Sequence, residues 1–591
     1  MKLSQPNKIH FINQKHSAYL LVVAFLLVSI FGSHFQYTIR NSGLYLLPIL
    51  RTIDPDIFKN DSVVDSLGKY KSLFYEVLTL GFRALRVSPD SLASTLQVLY
   101  AFSKVLLIIL IFILAYQLMN DIWLFLLMAA WISHVKLVPV GNILLFKPLL
   151  THETIAFLLG LAALIFLLRR NYILFWLAIG FSIFIHSIMA FHIFLCFVPA
   201  VFLIDKYRSK KHIIGLILLV IFSLLYFLLM TPPFLSSKEA TIFFIEKGDC
   251  MHVSPFNQSF LGWVKMLGLL TLAYLANKYI LRYEESSKLI SLLILCGTFF
   301  GLFLSIAAVV TKIPILALFQ PMRIFLWVTF LAYLLIAMAA VQSLRQNSQV
   351  GIILIGILIL SILNSPLTLI FISVAIAYLI IRKYWIKLNQ YIPFSFDNLA
   401  SVIITLTVCG MFFSWITQLW YPHSPSILAA GSLILLMSLK IIRKKNWNRI
   451  LIYVLVGFSV LFTSIFRHDY FSNKMDSDWD KTRLWCKNNT KKDDTFITPP
   501  NGNNFRILSL RSTVSEEMPA LLWVDPFEYV KNHVRVKIVE QGHSSMKWNL
   551  KYLFSLAQKW RVGYVVTKGS FDPNDISPVF SSGDFSVFKV Q

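Results

Sequence analysis

Long apolar runs separated by short polar segments make up most of this chain. They recur from Ser17 to Phe466, and each is close to the length that an α-helix needs to cross about 30 Å of hydrocarbon. We therefore predict an α-helical polytopic membrane protein with about fifteen spans. The predicted spans lie near 17–34, 92–118, 121–137, 151–168, 172–187, 188–204, 213–230, 259–279, 289–309, 322–342, 350–364, 366–382, 400–418, 425–441 and 449–466.

Two neighbouring pairs of predicted spans are divided by only a few polar residues. The motif "HS" divides the apolar stretch 172–204, and "NSP" divides the stretch 350–382. If these stretches are not divided, the number of spans falls by two and the predicted sidedness of the chain does not change.

Basic residues gather in the short loops between the runs, such as "LRRN" at 168–171, "DKYRSKKH" at 205–212 and "IRKKNWNR" at 442–449. Lys and Arg in short loops mark the cytoplasmic side of a membrane protein. We therefore place the N-terminus in the cytoplasm and the C-terminus outside, as in a multi-pass protein of an inner or plasma membrane. The net charge of +25 is explained by these basic loops, and we therefore expect no nucleic-acid partner.

The first run lacks a small-residue cleavage site after Gly32 and is predicted to remain as a span.

These patterns divide the chain into a transmembrane domain, 1–466, and a non-cytoplasmic domain, 467–591, which has the composition of a soluble protein. In the second domain, periodicity predicts helices at 478–489 and 549–561 and strands at 495–499, 562–567 and 585–590. We therefore predict a small C-terminal α/β domain on the outer side.

The first external loop, 35–91, carries a predicted interfacial helix at 73–87. Its apolar residues fall near one helical face, as expected for a helix that lies in the membrane interface. These residues are Phe74, Val77, Leu78, Phe82 and Leu85.

Ionisable and amide side chains near the outer ends of the spans are candidates for function, because such groups are costly in a membrane. The candidates are Asp54, Asp56, Lys136, Lys147, His152, Glu153, His186, His192, His252, Gln320 and Arg323. His186 and His192 would point about 120° apart on one straight helix and are not expected to pair. Interior histidines with structural hydrogen bonds are the alternative for both.

Four aspartates follow the first apolar segment in "DPDIFKNDSVVD". Asp61 and Asp65 are predicted to cap a helix, since Ser62-x-x-Asp65 resembles a capping box. Asp54 can open a turn before Pro55. Alternatively, Asp54 and Asp56, two positions apart in an extended segment, can point the same way and act as a general base or metal site.

Arg323, in "ALFQPMRIFLW", stands at the head of an apolar span. A permanently charged guanidinium there needs a carboxylate, a phosphate or the lipid headgroup layer. We predict either a contact with headgroups or bidentate binding of a phosphate-bearing lipid substrate. In the C-terminal domain, Arg506 and Arg511 are predicted to supply anion-binding charge beside a tight loop at Gly502.

The five cysteines have no metal-binding spacing. Cys250 and Cys486 fall on the predicted outer side, where a disulfide is conceivable. No phosphate-binding loop, dinucleotide fingerprint, zinc motif or catalytic-triad order stands out.

The layout resembles the GT-C class of membrane glycosyltransferases, and more closely a group of bacterial, notably cyanobacterial, multi-pass proteins that are similar to them. The matching motifs are "DPDIFKND" with "FYEVL", "FIHSIMAFH", "CMHVSPF", "FQPMR", "WCKNNTKKDDTFITPP", "NFRILSLRSTV" and "VGYVVT". One departure is the single histidine of "GDCMHVSPF", where a doublet is expected.

The resemblance implies a cell-envelope enzyme that transfers a sugar from a polyprenyl-phosphate-linked donor, with inversion, on the non-cytoplasmic face. Asp54 or Asp56 would be the catalytic base, and either could hold Mg²⁺ or Mn²⁺ if the enzyme needs a metal. The substrate and its phosphate would be bound by Arg323, Gln320, Lys147, His152, His186 and His252. The expected partners are membrane lipids and the lipid-linked donor. The sequence does not identify a protein partner.

A non-enzymatic membrane protein is the alternative, either a transporter of lipid-linked or polysaccharide intermediates or an assembly scaffold with a degenerate GT-C fold. A transporter would carry inward-facing ionisable residues near mid-membrane on broken helices.

Overall fold

The computed structural model describes residues 43–346 and 477–590, with gaps, and isolated helical positions between 351 and 380. The gaps are 60, 70–71, 135–137, 142–149, 205–206, 208, 230–244, 246–249, 283, 501–503, 517, 519–520, 522–524, 545–546 and 572–575. The predicted spans at 17–34, 400–418, 425–441 and 449–466, and the candidates Lys136 and Lys147, therefore lie outside the described residues.

The membrane domain is helical throughout its described part. Its α-helices are α1 (Gly43–Ile53), α2 (Ser62–Leu67), α3 (Leu73–Ala84), α4 (Leu92–Met119), α5 (Ile122–His134), α6 (His152–Leu168), α7 (Tyr172–Leu203), α8 (Lys211–Leu229), α9 (Phe260–Tyr279), α10 (Glu285–Thr311), α11 (Pro314–Leu318) and α12 (Phe325–Arg345). Short 3₁₀ turns occupy Cys250–His252 and Pro321–Ile324.

Within the described residues, six helical segments are long and apolar enough to cross a membrane, and α6 is a shorter apolar helix. The six segments are Leu92–Met119, Tyr172–Leu203, Lys211–Leu229, Phe260–Tyr279, Glu285–Thr311 and Pro314–Arg345. A helical membrane protein is therefore confirmed in outline. The predicted number of about fifteen spans is not established by the described part of the chain.

The long segment α7 folds back on itself at His186. The rings of Tyr172 and Phe202 lie 4.3 Å and 5.6 Å from the ring of His212, although thirty residues of straight helix would separate them by about 45 Å. His186 has φ −156° and ψ 93°, which interrupts the helix at this position. The predicted division at "HS" is therefore present, and His186 lies at the tip of a helical hairpin. The apolar segment Tyr172–Leu203, counted above as one, thus consists of two shorter helical legs.

Three helices end together at the end of the bundle opposite to this tip. Arg345 donates hydrogen bonds to Asp121 and to the carbonyl of Met119, and Gln117 donates to the carbonyl of Ile165. The ends of α4, α6 and α12 are thus together, at the end that the charge pattern assigns to the cytoplasm.

The first external loop contains the predicted interfacial helix as α3, Leu73–Ala84. Phe74 and Phe82 are buried in the protein, whereas Val77 and Leu85 are exposed. α3 therefore packs part of its apolar surface against the bundle and leaves the rest exposed, and its position in the membrane interface stays a prediction.

The C-terminal domain has a mixed α/β fold, as predicted. Its helices are α13 (Ser477–Asn489), α14 (Phe505–Ser509), α15 (Pro526–Gln541) and α16 (Leu550–Trp560). Its strands are β1 (Thr495–Ile497), β2 (Ser512–Thr513), β3 (His543–Ser544), β4 (Lys547–Trp548), β5 (Tyr564–Lys568), β6 (Ser570–Phe571), β7 (Phe580–Ser582) and β8 (Phe585–Lys589). Five of them form a sheet of order β2-β1-β5-β8-β7, in which β1 is parallel to β2 and β5 and the other pairs are antiparallel.

The apolar core of the membrane domain continues into the C-terminal domain. Ile507, Leu510 and Leu521 belong to the same buried cluster as the membrane helices. The C-terminal domain is therefore packed against the bundle on the side of the first external loop.

Candidate functional site

A buried carboxylate begins the site at the N-terminal end of α6. Thr151 caps this helix by accepting a hydrogen bond from the N–H of Thr154, which places His152 and Glu153 in the first turn. The positive end of the helix dipole favours a carboxylate at this position. Glu153 is only 8% exposed, so its charge also needs a specific partner.

Arg323 supplies this partner. Its Nη1 donates to Oε1 of Glu153 at 2.8 Å, and the guanidinium is itself buried. The short turn Pro321–Ile324 places Arg323, and Gln320 precedes this turn in the left-handed region at φ 47°. Arg323 was predicted to meet headgroups or a phosphate, whereas the structure pairs it with a carboxylate of the protein.

Three buried polar atoms around this pair make no hydrogen bond within the described part of the chain. They are Nε of Arg323, Oε1 of Gln320 and Nδ1 of His192. His192 uses its other ring nitrogen, Nε2, to donate to the carbonyl of Phe319 at 2.9 Å. Because native proteins rarely leave such atoms unpaired, these three atoms are candidates to contact a polar ligand or water.

Two histidines extend the site towards the first external loop. Nε2 of His186 lies 3.8 Å from Oε1 of Glu153, and the rings of His152 and His186 stack with centroids 4.1 Å apart. The hydroxyl of Tyr75, on α3, lies 2.7 Å from Nδ1 of His152. The reversal of α7 thus places the ring of His186 beside His152 and Glu153, at the N-terminal end of α6.

His252 has a supporting position. Its Nδ1 donates to the carbonyl of Gly141 at 2.7 Å. Gly141 has φ +95°, and a Cβ at this residue would lie 2.6 Å from the carbonyl oxygen of Met322, beside Arg323. His252 therefore holds the loop against which the Arg323 turn packs, and its predicted contact with substrate stays a prediction.

The acidic loop forms a turn and not the extended segment that the sequence suggested. Residues 55–59 are a turn, in which Oδ1 of Asp54 accepts the N–H of Asp56 at 3.2 Å. Oδ2 of Asp54 pairs with Nζ of Lys492 in the C-terminal domain at 2.7 Å, and Asp56 is exposed. The turn expected at Asp54 is confirmed.

The two other aspartates have different roles. Asp61 caps α2 by accepting from the N–H groups of Val63 and Val64, as predicted. Asp65 does not cap this helix. It pairs instead with Arg51, so the expected capping box does not form.

A buried ionic network joins Asp61 to the C-terminal domain. Nε of Arg506 donates to Asp61 at 2.8 Å, and Nη1 donates to Glu516 at 3.1 Å. Burial opposes the charge of Arg506, but the two carboxylates outweigh this effect and raise its pKa. We predicted that Arg506 binds an anion from outside the protein. This prediction is wrong, because its partners are two carboxylates of the same chain.

Arg511 is also engaged within the C-terminal domain. Its guanidinium donates to the carbonyls of Lys487, Thr490 and Leu510. Cys486 is buried as a free thiol, and burial raises its pKa to about 12. The conceivable disulfide between Cys486 and Cys250 is therefore not formed.

Further contacts hold α2 against α15. Ser62 donates to Glu528 at 2.6 Å, and Asp525 accepts from Ser66 at 3.0 Å and from Lys69 at 2.6 Å. The first external loop and the C-terminal domain are therefore in direct contact through several hydrogen bonds.

Sequence reasoning missed the roles of Tyr75 and Glu516 and gave Glu153 no specific role. Tyr75 falls in "FYEVL", which belongs to the predicted interfacial helix and to the motifs of the family resemblance, but no role was assigned to its hydroxyl. Each of these residues acts through a partner far away in sequence, so no local pattern reveals its function.

Among the described residues, one group of three or more His, Cys, Asp or Glu side chains could hold a metal ion. It consists of His152, Glu153 and His186, whose potential ligand atoms lie within 4.8 Å of one another. Asp54 and Asp56 do not belong to such a group there, and Asp54 already pairs with Lys492.

Residues 477–516 match the family described as Domain of unknown function (DUF6798). No curated protein matches the chain. The matched segment contains Lys492, Arg506 and Glu516, which all take part in the contacts that tie the C-terminal domain to the first external loop.

Proposed function

We propose that this protein is a GT-C-like membrane glycosyltransferase. It transfers a sugar from a polyprenyl-phosphate-linked donor to an acceptor on the non-cytoplasmic face, with inversion at the anomeric carbon. The observation that carries this proposal is the buried Arg323 at one end of an apolar bundle. Its ion pair with Glu153 is connected through the stacked rings of His186 and His152 to Tyr75, on the loop 35–91 that also carries Asp54 and Asp56.

Arg323 is suited to hold the lipid phosphate. A guanidinium has five N–H donors, and within the described residues one of its nitrogens, Nη1, donates to Glu153. Its Nε has no acceptor there, and neither Oε1 of Gln320 nor Nδ1 of His192 has a partner. A phosphate oxygen would accept from this Nε, whose burial without an acceptor is otherwise unfavourable, while Oε1 of Gln320 and Nδ1 of His192 would accept from hydroxyl groups of the same substrate.

Asp56 is suited to be the general base. Its carboxylate is exposed, whereas the carboxylate of Asp54 is engaged by Lys492 and by the N–H of Asp56. Asp54 then orients the backbone of the turn that carries Asp56. The C-terminal domain supplies Lys492 and so helps to position this turn.

The transfer takes place in one displacement. Asp56 takes the proton of the acceptor hydroxyl while its oxygen attacks the anomeric carbon. The bond from this carbon to the phosphate oxygen breaks, and Arg323 stabilises the charge on the departing lipid phosphate. The products are the glycosylated acceptor and the polyprenyl phosphate.

The interruption at His186 also favours a second candidate function, transport of a lipid-linked intermediate. Transporters bind their substrates at broken helices that carry buried ionisable groups near mid-membrane. The contact of His152 with Tyr75 instead ties this group to the first external loop, at one end of the bundle. This location favours the enzyme over the transporter.

The test uses the full chain in lipid vesicles with a panel of polyprenyl-phosphate hexoses, and it measures donor consumption. We expect D56N to lower the rate by about 10²-fold or more and R323Q by about 10²–10³-fold. D65N is the matched control, because Asp65 lies on the same loop and pairs only with Arg51 among its described contacts.

Equal rates in D56N and D65N, at equal amounts of folded protein, would contradict the assignment of Asp56 as base. Movement of intact donor across the vesicle membrane without consumption would favour the transporter.

A further inference from the structure

We propose that His152, Glu153 and His186 form a binding site for a transition-metal ion of the zinc class. This site lies where the membrane bundle meets helix α3 of the first external loop. The inference concerns ion binding and does not depend on the proposed sugar transfer.

The donor set indicates the class of ion. Two imidazoles and one carboxylate are the protein ligands of many catalytic zinc sites, which leave a fourth position open for water or a substrate. Imidazole ligands favour zinc and related transition metals over magnesium or calcium, which prefer oxygen. The three ligand atoms lie within 4.8 Å of one another, so small side-chain movements close them around one ion.

The surroundings hold His152 as a metal ligand is usually held. Ligating histidines use their second ring nitrogen for a hydrogen bond that fixes the ring. The hydroxyl of Tyr75 lies 2.7 Å from Nδ1 of His152 and so orients this ring. The site therefore has an orienting contact outside its three ligands.

The fold brings the ligands together from two elements. His152 and Glu153 begin α6, and His186 lies at the reversal of α7. The non-helical backbone of His186 turns its ring onto that of His152, with centroids 4.1 Å apart. Both histidines are at least nine-tenths buried, where imidazoles need specific partners.

Arg323 does not exclude an ion from this site. A carboxylate has two oxygens with about four lone-pair positions, so Glu153 can accept from Arg323 and also bind a metal. A hydroxide or another anion in the open fourth position would offset the added positive charge.

The experiment measures metal content in the full chain without an affinity tag of histidines. Purified protein is stripped with a chelator, incubated with Zn²⁺ alone, freed of excess ion and analysed by mass spectrometry of the metal. Co²⁺ replaces Zn²⁺ in a parallel sample, because its visible absorption reports tetrahedral ligands. We expect about one ion per wild-type chain.

The H152N and H186N variants should lose the ion. H212N is the matched control, because His212 is a buried histidine that packs against the other end of the same hairpin and lies outside the ligand group. Y75F removes a single oxygen, so it should fold and bind zinc about 10–100-fold more weakly.

A wild-type chain that takes up no zinc would overturn the proposal, as would full occupancy in both H152N and H186N. An unchanged zinc affinity in Y75F would also count against it, whether or not the histidine variants fold.

Discussion

The guanidinium of Arg506 donates to the carboxylate of Asp61 across 445 positions of sequence. This pair is almost completely buried and joins the C-terminal domain to the first external loop. Asp61 also caps α2, and Arg506 also binds Glu516. One ionic network therefore determines the start of a loop helix and the docking of a domain.

Replacement of Arg506 should strongly destabilise the folded chain. R506A leaves the carboxylates of Asp61 and Glu516 buried without their counter-charge, which costs about 3–5 kcal/mol. The expected result is a clearly lower unfolding temperature, measured by tryptophan fluorescence in detergent.

K531A is the control, because Lys531 is exposed and its described ion pair, with Glu528, lies at the surface. R506K should fall between these variants, since lysine keeps the charge but loses the forked geometry. An R506A chain as stable as K531A would show that the buried network does not hold the domains together.

The contact between α2 and α15 should weaken in acid. Burial alone would raise the pKa of Asp525, but hydrogen bonds from Lys69, from the N–H of Glu528 and from Ser66 outweigh it and lower this pKa. The ionised form is thus favoured by folding. Its contribution to stability is complete above the unfolded pKa of about 4 and is lost as the pH falls through the lower folded pKa.

The measurement compares the unfolding temperatures of wild type and D525N between neutral pH and about pH 3. The wild type should be the more stable at neutral pH, and the difference should shrink in acid. Two curves that remain parallel throughout would remove Asp525 as a source of this pH dependence.

Gly141 should not tolerate a side chain. Its φ of +95° is unfavourable for alanine, and an added Cβ would lie 2.6 Å from the carbonyl oxygen of Met322. G141A is expected to lower the unfolding temperature by displacing the turn that carries Arg323. The same variant should weaken any function that depends on Arg323.

G81A provides the opposite control. Gly81 lies within helix α3, and an added Cβ would meet no atom within 4 Å. Alanine there should stabilise the helix by about 0.5–1 kcal/mol. If G141A proved as stable as G81A, the close packing of Gly141 on the Arg323 turn would be refuted.

Local patterns predicted the helices because helix formation depends on neighbours in sequence. The predicted span 92–118 corresponds to Leu92–Met119, and 259–279 corresponds to Phe260–Tyr279. The division at "HS" was also visible, because two polar residues interrupted an apolar stretch. In the C-terminal domain, the patterns at 478–489 and 562–567 predicted α13 and β5.

The partners of the ionic residues could not be predicted in this way. Arg506 was expected to bind an outside anion, and Arg323 a phosphate or lipid headgroups, yet each has a carboxylate of the chain as its partner. Asp65 has the right spacing for a cap but pairs with Arg51. A charged side chain takes the partner that the completed fold brings near, and spacing along the chain does not contain that information.

The sequence alone determined that this is a helical membrane protein, where many of its helices lie and that its C-terminal segment is an α/β domain. These properties follow from hydrophobicity and periodicity over a few turns of chain. Only the tertiary structure decided that Glu153 meets Arg323 and His186, and that Arg506 meets Asp61. Such contacts join distant segments, and they form because a buried charge must find its counter-charge once the surrounding apolar core has closed.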